Sequence, residues 1–203
     1  MNLKPILVNL LLFTFIFGTT ISIYAKDNSK TIEADAQKSS LEWIGKKVLG
    51  QHSGNVNLKS GTLFVKGSVL TGGNFVIDMT SISCTDINDA AYNANLIKHL
   101  KSTDFFNVDE FTTATLKITK VLKFVNKSDS YNLTADLTVK GITKSISFPA
   151  TFSKQGNVFE ANANITIDRT LWDIKYKSSS FFEGLGDKAI KNEVNLNVKI
   201  VSK

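Results

Sequence analysis

From Leu41 onward, apolar side chains recur at every second position. Val56 and Leu58 alternate with Asn57 and Lys59, Leu63 and Val65 follow, and Phe75, Ile77 and Met79 share one side. Leu116 and Ile118 sit between Thr115, Lys117 and Thr119, and Tyr131, Leu133, Ala135, Leu137 and Val139 give five matches in a row. Ile146, Phe148, Ala150 and Phe152 continue the pattern, as do Ala161, Ala163, Ile165 and Ile167, and then Val194, Leu196, Val198 and Ile200. A period of two is the signature of half-buried antiparallel strands, each with one face on the core. Turn-forming residues at 59–61, 71–73, 126–130, 140–141 and 155–157 are expected to separate them. About eight strands joined by short turns imply a sandwich or a closed barrel, and closure removes exposed edges. Helical character is confined to residues 89–101 and a turn near residues 181–190. One connection is long: the strand at Phe75 runs through a Ser/Thr turn and a polar spacer to Phe105 and Phe106. Connections of that length in a compact domain are usually functional.

Residues 1–25 change the boundaries of this reading. Lys4 precedes a nearly unbroken apolar run over residues 6–17, and Ala25 offers a small residue before the polar stretch 26–30. This is the layout of a secretory signal peptide, with an apolar core too short for a membrane span. The expected organisation is a leader over 1–25, a flexible segment over 26–38 and one domain over 39–203, found in the periplasm or outside the cell. About 178 residues then remain, enough for one domain with a substantial core. Cys84 is the only cysteine, so no intramolecular disulfide supports the fold, and the thiol reads as a small buried side chain. The net charge of +6 comes from scattered lysines without a long basic run, which speaks for a solvated surface and against nucleic acid as a partner.

The rare side chains are the candidates for chemistry. Arg169 is the sole arginine among 24 basic residues and lies between Asp168 and Trp172 at a strand end. Such a position calls for a planar five-donor fork, either for a ligand or for a structural contact at a barrel rim. His52 and His99 show no metal-binding spacing, and Cys84 has no histidine at a recognisable distance along the chain. Ser53 points away from its neighbour His52 on a strand. Asp104, before Phe105 and Phe106, reads as a turn cap.

Five segments, in order, carry a resemblance: LEWIGKKVLGQHSGNVNLKSG at 41–61, GGNFVIDMTSI at 72–82, HLKSTDFF at 99–106, LTVKGITKSISFP at 137–149, and IDRTLWDIKY at 167–176 with LGDKAI at 185–190. The chain resembles the YceI-like family of secreted, lipocalin-like proteins that bind polyisoprenoids and related long-chain amphiphiles. The resemblance implies an all-β fold: an extended eight-stranded antiparallel lipocalin-like barrel with one or two short helices. It also implies an apolar tunnel for a prenyl or fatty-acyl tail, with the bound lipid as ligand and no metal or other cofactor. The chain departs from many relatives at residues 107–113, which carry Phe111 and no proline, and in the asparagine-rich residues 90–95.

Three readings follow. In the first, the protein binds, carries or stores one amphiphile: a polyisoprenoid, an isoprenoid quinone or a fatty-acyl lipid. Inward-facing candidates for its tail are Trp43, Phe75, Ile77, Phe105, Phe106, Phe148, Phe152, Ile165, Ile167, Trp172 and Phe182. His52, Asp78, Ser81, His99 and Arg169 are candidates for a polar end that orients the head group, or for its support. In the second, His52, His99 and Asp78 converge as acid/base groups of a lipid-modifying enzyme. In the third, a stress-response or adhesion module works through its outer surface. Transient contact with a membrane surface or a membrane redox protein, and a homodimer, are compatible with the first.

Overall fold

A computed structural model describes residues 29–127 and 129–203; the leader expected over 1–25 lies outside them. Among the described residues there are nine strands and one α-helix: β1 Ser29–Glu33, β2 Ser40–Lys47, β3 Gln51–Lys66, β4 Val69–Asp78, α1 Ala90–Lys101, β5 Thr113–Lys123, β6 Ser130–Val139, β7 Ile142–Gln155, β8 Val158–Asp168 and β9 Ile190–Val201. Each strand from β2 to β9 pairs antiparallel with the next, and β9 pairs back with β2, which closes an eight-stranded barrel. The alternation read from sequence maps onto its inner face. Leu58, Leu63, Val65, Phe75, Ile77, Leu133, Ala135, Phe148, Phe152 and Ile165 are all buried.

Within the segment 26–38 expected to be flexible, the described residues 29–38 do not form a free arm. Ser29–Glu33 pair with Thr62 to Lys66 of β3, beyond the part of β3 that β2 occupies. Ala34 bridges to Ser202, and the Lys203 N–H donates to the Glu33 carbonyl. β1 and β2 therefore share one edge of β3, β2 along its first part and β1 along its last, with β4 on the other edge. Ile32, the half-buried member of β1, packs on the core, and that contact gives this short polar segment its purchase.

Two expected turns are interior to strands. Residues 59–61 lie within β3, where the pairing slips between Leu58 and Ser60, so they form a bulge rather than a reversal. Residues 71–73 lie within β4, and β3 and β4 reverse instead at Gly67, whose φ is +64°. The glycines have a packing reason. A Cβ on Gly73 would come 2.8 Å from the Thr62 carbonyl and 3.1 Å from the Phe75 ring; one on Gly61 would meet that ring at 2.7 Å. Glycine inside a strand marks such close approaches as well as turns.

The two barrel ends differ. At the lower end, Tyr131 meets Phe152 edge-on and Phe152 stacks on Phe159 at 5.5 Å, and Tyr131 and Phe152 are each 1% exposed. The upper end is covered by connections. After β4, a 3-10 turn over Met79–Ser81 leads to α1, which Asp89 caps by accepting the N–H groups of Ala91 and Tyr92, both at 2.9 Å. After β8, a second 3-10 turn over Arg169–Trp172 opens the long connection 173–189. On the barrel wall, β7 and β8 pair only from Ala150–Ala163 downward. Pro149, with no N–H to donate, stands where they part.

Candidate functional site

The barrel holds an internal cavity of about 230 Å³. Every strand of the closed ring contributes to its wall, for example Leu41, Val56, Phe75, Leu116, Leu133, Phe148, Ile165 and Leu196. Leu116, Ile118, Leu196 and Val198 face inward by alternation yet are only half-buried, because they border empty space instead of one another. Ile82, Leu100, Phe105, Phe106, Trp172 and Ile174 form the roof. An eight-stranded barrel has room for side chains or for one slender ligand, and here the middle of the barrel is left open.

Most of the expected tail-contacting residues lie on this wall. Trp43, Phe75, Ile77, Phe105, Phe106, Phe148, Ile165, Ile167 and Trp172 all line the cavity. Trp43 and Trp172 are oriented through their indole N–H groups, which donate to the carbonyls of Ser83 at 3.0 Å and Leu137 at 3.1 Å. Two expected residues are elsewhere. Phe152 belongs to the aromatic plug below the cavity. Phe182 is 50% exposed on the connection 173–189, between the alternating stretches of β8 and β9 and covered by neither.

The five polar candidates do not converge on a head-group site. His52, at the start of β3, has Nδ1 2.9 Å from Asp86 Oδ2. Burial pushes the Asp86 carboxyl up, but the Ser53 N–H, the His52 ring and the Cys84 thiol outweigh it and hold the carboxyl at about 2. The same thiol is pushed up, by its burial and then by the Asp86 carboxylate, which disfavours a reactive thiolate. His99 at the end of α1 has Nε2 2.9 Å from Asp104 Oδ2, and its ring meets those of Phe105 and Tyr176 edge-on at 5.0 and 4.6 Å. Asp78 caps the 3-10 turn after β4: it accepts from the Thr80 hydroxyl at 2.6 Å and the Thr80 N–H at 3.0 Å, which lowers its pKa. Ser81 donates to the Asp78 carbonyl and accepts the Asn57 N–H.

Arg169 resolves the choice that rarity left open. Its guanidinium is 4% exposed and donates to three backbone carbonyls: Ile174 at 2.6 Å, Lys191 at 3.1 Å and Ile190 at 3.2 Å. It ties the turn after β8 to the start of β9, next to the cavity. Lysine has no rigid fork to meet three carbonyls at once. Among the described residues no cluster of histidine, cysteine and carboxylates suits a metal ion. The roof residues Ile82, Leu100 and Ile174 escaped the sequence reading, since they lie on turns and a helix where the period of two does not apply. Leu41, Leu133 and Leu196 were visible in it and needed only the third dimension.

A model of the YceI-like domain matches residues 33–202. The chain belongs to the YceI-like family. Curated relatives include a UPF0312 protein of Yersinia enterocolitica, 34% identical over 102 residues, which is 46% of this chain and 48% of that protein. Another, from Vibrio parahaemolyticus, is 33% identical over 119 residues, 53% of this chain and 61% of its own. These alignments thus span about half the length of the curated relatives. Among solved structures, Burkholderia cenocepacia BcnA superposes with a TM-score of 0.64 at 18% identity, over 84% of this chain and 99% of BcnA. A polyisoprenoid-binding domain from Saccharophagus degradans, implicated in plant cell wall breakdown, gives 0.61 at 13% identity, over 86% and 99%. At those identities the structural likeness establishes the YceI-like barrel and nothing finer.

Proposed function

We propose that this YceI-like protein binds one long-chain amphiphile, a polyisoprenoid, isoprenoid quinone or fatty-acyl lipid, by burying its tail in the barrel, and acts as a carrier or store in the periplasm or outside the cell. The observation that carries this is the open, aliphatic and aromatic interior on a fold whose family includes a polyisoprenoid-binding domain. Apolar cavities stay dry, so a tail entering this one displaces little water and gains the full transfer energy. At roughly 0.8 kcal/mol per buried methylene, about twelve carbons must be sequestered before the gain reaches the middle of the ~4–15 kcal/mol association cost. Short acids and aromatic metabolites fall below that threshold. A cavity of 230 Å³ also favours a slender tail over a fused ring system.

The geometry supports binding over catalysis. His52, Asp78 and His99 each engage a separate partner, and none lies on the cavity wall. Acid/base work on a buried lipid needs these groups within hydrogen-bond reach of the reacting atom. The reading is tested by incubating delipidated protein with an isoprenoid quinone and passing the mixture through a gel-filtration column. The quinone should co-elute near one per chain. A quinone that elutes wholly apart from the protein would remove the proposal.

A further inference from the structure

Exposed apolar side chains occur at both ends of the barrel: Leu122, Phe124, Val125 and Val158 lie on hairpins at the plugged lower end, and a second group lies at the upper end, beside the cavity. Val48 and Leu49, at the tip of the hairpin between β2 and β3, are 46% and 69% exposed; Phe181 and Phe182, on the connection 173–189, are each 50% exposed. Hydrogen bonds hold the two loops side by side. The Val48 N–H donates to the Ala189 carbonyl, Lys47 pairs with Ile190, and the Ile190 N–H donates to the Lys177 carbonyl. The N–H groups of Phe181 and Phe182 both donate to Ser178, whose hydroxyl bonds Asn192 on β9. The patch is therefore built in, on loops fixed to the barrel.

Lysines surround it: Lys46, Lys47, Lys177, Lys188 and Lys191, with Lys175 placed 5.1 Å from the Phe181 ring centroid. Asp173, Glu183, Asp187 and Glu193 are the facing acids, and Asp173 is paired to Lys175 at 2.6 Å. The balance is positive, in a chain of net charge +6. The patch also adjoins the cavity, because Ile174, Ile190 and Lys191 of the same segment line it. The opposite end is plugged by aromatic rings.

We propose that this end of the barrel docks on an anionic lipid bilayer, with Val48, Leu49, Phe181 and Phe182 entering the head-group region and the lysines meeting lipid phosphates, so that the tail passes between membrane and cavity through the connection-built roof. The proposal rests on the binding function above. A second copy of the chain is the poorer occupant, since it would bring two lysine rims together, whereas apolar side chains within a basic rim suit an anionic interface.

The test is flotation of the chain lacking residues 1–25 with vesicles of phosphatidylglycerol and phosphatidylethanolamine, and with vesicles of phosphatidylcholine alone. The protein should float with the anionic vesicles, less so in high salt, and much less with the neutral ones. Phe181→Ser with Phe182→Ser should weaken that partition roughly tenfold or more, and Leu49→Asp should do so independently. Both should leave gel-filtration quinone uptake unchanged, because none of the three residues lines the cavity. Absence of flotation, equal flotation of the variants, or their conversion of a dimer to a monomer would each overturn the docking surface. Flotation without quinone uptake would support docking while removing the carrier reading, so the two failures are separable.

Discussion

Arg169 shows how far a single residue can be read. Its rarity marked the position, and the strand end predicted a rim, but only the folded chain reveals that its partners are backbone carbonyls. A carbonyl leaves no trace in a sequence. Arg169→Ala strands three acceptors near a buried void, so it should destabilise by about 3 kcal/mol or more in urea unfolding. Arg169→Lys should recover only part of that loss. A loss below 1 kcal/mol for the alanine variant would mean that water replaces the fork. Asp86 makes a second prediction at this scale. Its pKa is held at about 2, below the roughly 3.9 of an unfolded chain, so its contribution to stability is complete above about pH 4. It is lost as pH falls toward 2, when the folded form takes up the proton. Thermal melts should show the gap between wild type and Asp86→Asn closing between pH 4 and 2; a constant gap would contradict the assignment.

At the scale of elements, strands were legible wherever side chains alternate and misread wherever glycine stood for packing. The five consecutive matches in β6 placed every inner residue of that strand correctly, because burial on one face is what alternation records. Gly61, Gly72 and Gly73 suggested turns, yet they make room for the Phe75 and Phe64 rings inside β3 and β4. Gly54 is the sharpest instance. A Cβ there would lie 1.8 Å from the Ser83 carbonyl oxygen, where the segment after β4 crosses β3. That segment is bonded to the strand by the N–H groups of Ser83 and Thr85, so neither side yields easily. Gly54→Ala should therefore cost about 3 kcal/mol or more, as a shift in urea midpoint, or prevent folding outright. A shift within 0.5 kcal/mol would show that the crossing can open. β1 was missed for the opposite reason: its strand is polar, and nothing in its pattern points to its distant partners on β3, Thr62 to Lys66.

For the whole molecule, the sequence could establish a barrel and its inner residues but not whether the inside is full. Alternation records which side faces inward, and the same residues would serve a packed core or a cavity. The difference lies in the summed volume of side chains against the barrel's girth, a quantity distributed over all eight strands of the ring. The polar end was the least legible part, because His52, Asp78 and His99 sit at strand and helix ends outside the period of two, His52 meeting Asp86 from the connection after β4 and Asp78 and His99 meeting Thr80 and Asp104 in the adjoining turns. With the interior open, a charge on its wall should abolish loading while the barrel stands. Ile77→Lys places an ammonium on a wall built almost wholly of apolar side chains, and quinone co-elution should fall by tenfold or more, while far-ultraviolet circular dichroism is retained. Undiminished uptake by the folded variant would take Ile77 off the ligand's path. The central claim is met most directly by native mass spectrometry of protein purified from its own host, followed by solvent extraction. The account predicts one added mass per chain that extracts as a prenyl or long-acyl amphiphile. A bare polypeptide mass that takes up neither polyprenol nor quinone would contradict it.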